Sequence, residues 1–223
     1  VLRTWVAISG LPPGQSLIGI DYRPADGALY GVSRDGGVYA IDARSGMVTM
    51  KSQLKAAPDD KRPFSALEGS WFAFDFNPVA DRLRIVSDTG QNLRINVDTG
   101  ATINDGPING APGAKVVAAA YTDSYKGAKA TSLYVIDLAG SAIYLQNPPN
   151  NGTLVNRAPL GSAISSVNGF DIDAKTRFAY AALTVNGTPG FYTVDVTGQT
   201  PPVLLGTWSG PERIRSFALW QQP

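Results

Sequence analysis

An all-β, five-bladed β-propeller is the fold this sequence predicts, and three observations predict it. The segment LIGIDYRPADGALYGVSRDGGVYAIDARSG from Leu17 is echoed by WFAFDFNPVADRLRIVSDTGQNLRINVDTG from Trp71, and more faintly twice again. The copies recur at roughly 45 to 55 residues, a period that, with hairpin chemistry inside each copy, points to a β-propeller or related array. Each copy also carries turn residues at hairpin spacing between short apolar runs.

Aligned on Tyr22, Phe76, Tyr121 and Ile172, the four copies share one order of elements. A first apolar strand ends in a turn: Pro24-Ala25-Asp26-Gly27, Asn77-Pro78-Val79-Ala80-Asp81, Thr122-Asp123-Ser124 and Asp173-Ala174-Lys175. Second strands follow as ALYGV, RLRIV, SLYVI and FAYAA, beginning at Ala28, Arg82, Ser132 and Phe178. Connections containing Gly36, Gly90, Gly140 and Gly187 supply the positive φ of tight hairpins and lead to a third strand. Ser45-Gly46, Thr99-Gly100 and Thr197-Gly198 then announce a fourth. Four antiparallel strands per copy make a blade, giving blades at residues 17–70, 71–115, 116–165 and 166–212 of a single domain. IRSFALW from Ile214 reads as the first strand of a fifth, closing blade at residues 213–223, shared with residues 1–10 so that no edge is left bare. Residues 52–63, rich in Lys, Asp and Arg, read as an exposed insertion between the first two blades.

Composition narrows the chemistry. The 223 residues include no Cys and no His, which excludes disulfides, thiolate nucleophiles, Ser-His-Asp hydrolysis, and zinc or haem held through those side chains. Oxygen-ligated Ca²⁺ or Mg²⁺ is what such a chain still allows, with Ca²⁺ the cation considered for the site, and the cofactor is otherwise unknown. The net charge is +1, with 19 basic residues scattered, so neither nucleic acid nor an anionic membrane is an expected partner. No apolar run is long enough for a membrane span. The expected state is a monomer.

The copies differ most at one place. Tyr30, Tyr134 and Tyr180 occupy one position of the second strand, and the second copy has Arg84. Strand alternation puts Arg82 and Arg84 on one face and Leu83 and Ile85 on the other. A buried guanidinium requires carboxylate or carbonyl partners. Asp21, Asp75 and Asp171 share one position at the end of the first strand, where the third copy has Ala120. These residues define the candidate binding site: Arg82, Arg84 and Arg94 as hydrogen-bond donors to an anionic group, oriented by Asp75 and Asn77, with Asp21 and Asp171 near the channel. No catalytic residue stands out. Asp88-Thr89-Gly90 and Asp98-Thr99-Gly100 are turn residues rather than an aspartic-protease motif. Trp5, Trp71, Trp208 and Trp220 read as packing anchors more than as sugar platforms.

LIGIDYRPADGALYGV, FAFDFNPVADRLRIVSDTGQNLRINVDTGA, AAAYTDS, TSLYVID, NPPNNGTL and GFDIDA together resemble the bacterial family of domain of unknown function 4394 over residues 17–219. The resemblance implies a propeller-like repeat fold and a periplasmic or extracellular protein, and it carries no catalytic residues. It also implies a further strand pair ahead of Val1, so the chain is expected either to be trimmed at its start or to have an N-terminal segment left unassigned. The expected function is an exported binding or interaction module for a small polar or anionic ligand or a protein partner. The alternatives are a carboxylate-dependent glycoside hydrolase, which needs two carboxyl groups roughly 5 to 9.5 Å apart in an open cleft, and a structural protein of the envelope or extracellular space.

Overall fold

The structure, a computed structural model, describes residues 5–58, 60–208 and 214–220. Its strands assort into four antiparallel sheets, each built in chain order from the channel outward. The first contains β1 (Leu17–Tyr22), β2 (Leu29–Ser33), β3 (Gly37–Ile41) and β4 (Val48–Gln53). The second contains β6 (Phe72–Asn77), β7 (Arg82–Ser87), β8 (Asn92–Ile95) and β9 (Ala101–Asn104), with β5 (Lys55–Ala56) added parallel to β9 at its outer edge. The third runs β10 (Val116–Tyr121), β11 (Leu133–Asp137), β12 (Ala142–Gln146) and β13 (Leu154–Pro159), and the fourth β14 (Ile164–Ile172), β15 (Ala179–Val185), β16 (Thr188–Val194) and β17 (Val203–Thr207).

The innermost strands β1, β6, β10 and β14 pack side by side, and strand alternation fills the spaces between sheets. Leu83 and Ile85 point back toward Tyr30 and Val32 of the first sheet, whereas Ala73 and Val86 pack with Val116 and Tyr121 of the third. Ala118, Ala120 and Ile136 meet Phe170, Ala181 and Leu183 between the third and fourth sheets. A one-residue slip of β7 would exchange these faces and put Arg84 into the first of those cores.

Four sheets are present among the described residues, not five. The first strand expected for a fifth blade does reach its place: residues 214–220 lie between β14 and β1, with the Ile20 N–H donating to Ser216 Oγ (3.1 Å) and the Leu219 N–H to Asp171 Oδ2 (2.6 Å). That segment has no strand partner among the described residues, and residues 1–4, 213 and 221–223 of the expected closing blade lie outside them, as do residues 209–212 of the expected fourth blade. The N-terminal residues expected to complete it are engaged elsewhere. The Ser9 N–H donates to Gly46 O and Ser9 O accepts from the Val48 N–H, which commits this stretch to the outer edge of the first sheet.

Ser9 thereby shows a mode of blade entry that recurs in the second and third blades. The Lys55 N–H donates to Gly100 O and the Asn109 N–H to Gly152 O, each from the stretch that leads into the blade it touches. The expected exposed insertion therefore begins as structure: Leu54 is buried and Lys55–Ala56 extends the second sheet. The four corner glycines at these crossings, Gly46, Gly100, Gly152 and Gly198, all have φ near +70°. A Cβ at Gly100 would fall on the Gln53 carbonyl oxygen, and one at Gly46 on that of Ala7.

Gly100→Ala should therefore lose about 3 kcal/mol or more in urea denaturation, combining left-handed backbone strain with a backbone clash. Gly187→Ala, at φ 80° with no neighbour near its Cβ position, should lose only about 1 kcal/mol.

Candidate functional site

The four inner strands run in one direction, so their first residues gather at one mouth of the ring and their last residues at the other. The residues singled out from sequence lie toward the far end and between the sheets. Asp21 accepts the Phe76 N–H at 2.8 Å, and Asp171 accepts those of Leu219 (2.6 Å) and Ile172 (2.7 Å). The Tyr121 backbone amide interacts likewise with Asp75, whose Oδ1 has no hydrogen-bond partner. Each carboxylate thus reaches from its own inner strand to the next, one residue past the aligned aspartate position. Burial, then the Asp171 charge, raises the Asp21 pKa well above the usual carboxylate range. Burial, then Asp21 and Asp171, does the same to Asp75, and burial pushes Asp171 up to about 7. Through these backbone contacts the three aspartates act as inter-strand latches, and no group of three or more acids among the described residues is arranged to hold a metal ion.

Arg84 is 2 % exposed and extensively hydrogen-bonded. It donates from Nη1 to Asp105 Oδ2 (2.7 Å) and Asn92 Oδ1 (2.9 Å), from Nη2 to Asn150 Oδ1 (2.6 Å), and from Nε to Tyr121 Oη (3.4 Å). Arg94, half-buried on β8 opposite Arg84, grips both oxygens of the same Asp105. Arg82 instead donates to the Ala80 and Asp81 carbonyls, and Asn77 Oδ1 accepts the Val79 and Ala80 N–H groups of its own turn. The structure therefore brings Arg84 and Arg94 together on Asp105, which sequence reasoning missed, and leaves Arg82 and Asn77 apart at the turn. Asp75 faces Arg84 in strand register without an ion pair between them.

The open site is at the other end. A cavity of about 630 Å³ occupies the mouth of the ring, within the roughly 300 to 1,000 Å³ typical of small-molecule sites. Counting back four residues from Tyr22, Phe76, Tyr121 and Ile172, and from Leu219 in the closing segment, gives Ile18, Phe72, Val117, Asn168 and Arg215. All five line the cavity. One repeat position thus encircles the mouth, apolar on three strands and polar on the last two. Arg215 was legible by extending the alignment to the closing segment; attention to the second strands passed over it.

Neighbouring side chains complete the walls. Trp71, 44 % exposed, lines one side. Its backbone N–H and that of Ser70 donate to Asp88 Oδ1 (3.2 and 2.8 Å), which fixes the approach to β6. Trp208 lines another wall, its indole edge-to-face with Phe191 at 5.5 Å between centroids. Ser166 and Thr184 share a hydrogen bond of 2.9 Å across β14 and β15, and Asn168 Nδ2 lies 3.4 Å from Ser166 Oγ. Arg215 is exposed and forms no ion pair among the described residues. Trp71 is not a buried anchor, and Trp5 and Trp220 are more exposed still, whereas Trp208 is partly buried against Phe191.

The family model of domain of unknown function 4394 matches residues 1–218, and the chain belongs to this family. No curated protein matches it in sequence. Solved structures that resemble it include YCF48 bound to D1 peptide, at 12 % identity over 80 % of this chain and 50 % of that one, with a TM-score of 0.44. They also include the Dos1 propeller (11 %, 85 % of this chain and 46 % of that one, 0.48) and an auxiliary nutrient binding protein from Bacteroides thetaiotaomicron (19 %, 76 % and 45 %, 0.43). The chain spans about half the length of these structures. No helix among the described residues is long and apolar enough to cross a membrane.

Two outcomes follow from the buried charges. Because the aspartate pKa values are raised in the folded state, the fold holds protons that the unfolded chain releases. Their stabilising contribution is complete below about pH 4, the unfolded value, and declines as pH rises above it, that of Asp171 being lost as pH rises through about 7. Asp75→Asn should flatten that loss and raise the thermal midpoint at pH 8 by about 2–4 °C per kcal/mol recovered, as followed by circular dichroism. Arg84→Leu should destabilise the protein by about 3–5 kcal/mol, since Asp105 stays buried with only Arg94 to neutralise it.

Proposed function

We propose that this member of the family is a binding module whose ligand, a small molecule with an anionic group, enters the mouth of the ring. One observation carries the reading: a single repeat position lines a cavity of ligand size from all four sheets and the closing segment, and at its last copy presents the exposed Arg215, which has no ion-pair partner among the described residues. Arginine in such a place donates two parallel hydrogen bonds to a carboxylate or similar group. Arg84 and Arg94 have their guanidinium groups directed at Asp105 and serve the packing of the second sheet against the third. The family resemblance supports an exported location for such a module.

A glycoside hydrolase draws less support from the geometry. Among the described residues no Asp or Glu lines the mouth cavity, and the three repeated aspartates are buried latches at the other end of their strands. Hydrolysis of that kind requires two carboxyl groups flanking the substrate.

The test is a thermal-shift and calorimetric screen of small anions against the full chain. Hits should disappear in Thr184→Trp, which fills the cavity, and weaken about tenfold in Arg215→Gln. Arg94→Gln should leave them unchanged; loss of binding there, with Arg215→Gln silent, would return the site to the second blade.

A further inference from the structure

The mouth cavity is divided by chemistry as well as by position. Ile18, Phe72 and Val117 form an apolar arc, extended by the indole of Trp71. Asn168 and Arg215 form a polar arc across the channel, extended by Ser166 and Thr184. A ligand matching both arcs has one flat apolar face and one edge of hydroxyls with a negative charge.

We propose that the cavity takes the end of an acidic saccharide, a pyranose ring bearing a carboxylate of the uronic-acid type, a reading that rests on the mouth being a ligand site. The C–H face of a pyranose is the apolar plane that an exposed indole covers, and an exposed tryptophan at a cavity wall is otherwise an unfavourable surface. Phe191 holds Trp208 from the side, with Phe217 packed on Phe191 at 5.8 Å, so that indole is positioned before a ligand arrives. On the polar arc the Ser166 and Thr184 hydroxyls spend one proton on each other and retain one. Asn168 directs its Nδ2 toward Ser166 and keeps its carbonyl oxygen as an acceptor. One donor beside one acceptor is the complement of a pair of adjacent ring hydroxyls. Arg215 is the one Lys or Arg among the described residues that line the cavity, and a single guanidinium balances one negative charge, which suits a carboxylate better than a doubly charged phosphate. A neutral sugar leaves Arg215 unused, and a carboxylate without a ring leaves the indole uncovered.

Isothermal titration of the full chain with galacturonate, its di- and trisaccharide, the matching galactose oligomers and malonate tests the assignment. The galacturonate oligomers should bind at least about tenfold tighter than the galactose oligomers, and tighter than malonate. Arg215→Gln should remove most of the preference for acid over neutral sugar, and Trp71→Ala should abolish binding of both. Both variants should keep the wild-type thermal midpoint, because the two side chains are exposed. Malonate binding as tightly as the oligomers, with sensitivity to Arg215→Gln, would overturn the saccharide and leave the mouth as an anion site. Oligomer binding insensitive to both variants would overturn the saccharide assignment and the mouth site together. Absence of binding by every uronate would overturn the saccharide alone, and the small-anion screen then decides the mouth.

Discussion

Neighbouring sheets are tied where they are closest, by carboxylates that reach from one inner strand to the backbone of the next. Asp21 takes the Phe76 N–H, Asp75 faces that of Tyr121, and Asp171 takes that of Leu219. An inner strand shows its hydrogen-bonding edge to only one partner in its own sheet, so its first residues past the aspartate need acceptors from outside. The latches supply them and fix the height of each strand against its neighbour. That height brings Ile18, Phe72, Val117, Asn168 and Arg215 to a common level at the mouth. The electrostatic burden of three buried acids is part of the same arrangement, since an acceptor strong enough to hold the next strand is also a group that resists ionising there.

Much of this was legible in the residues. Hairpin chemistry placed the strands, and alternation correctly put Arg84 on the face opposite Leu83 and Ile85. The blade count was not legible, because a strand-like segment at the end of a repeat says where a blade would start and nothing about its partners. Ser9 could as well have joined the closing segment as the first sheet; the choice turned on backbone hydrogen bonds to Gly46 and Val48, which involve no side chain. The corner glycines were visible as turn residues, yet their need to admit a passing carbonyl came only with the fold.

The site was legible in a different sense. The departure of Arg84 from the repeated tyrosine marked a real exception, but the exception serves packing: its guanidinium joins Asp105, Asn92, Asn150 and Tyr121 across two sheets. Repeats expose a substitution without saying which side of the sheet is wet. Arg215 required a fifth line in the alignment, from a segment with no turn chemistry to anchor it. A polar residue at a position otherwise apolar carries functional weight only once that position is known to face solvent, and burial is decided by the ring as a whole.

The Ile20 to Ser216 hydrogen bond joins residues separated by 196 positions, whereas the other seams join neighbours in sequence. Loop-closure entropy and topology give such a contact a late place in folding. The four sheets can add to one another as successive neighbours, each nucleated by a local hairpin, and the circle closes only when the last segment reaches the first strand. A nascent chain therefore carries an open arc until residues 214–220 have been made. The face of the first sheet holding Leu29, Tyr39 and Ile41 waits through that interval for its last cover, which includes Ala218. The order of assembly is thus written into the connectivity, and the residues that finish the ring are also those that finish the cavity.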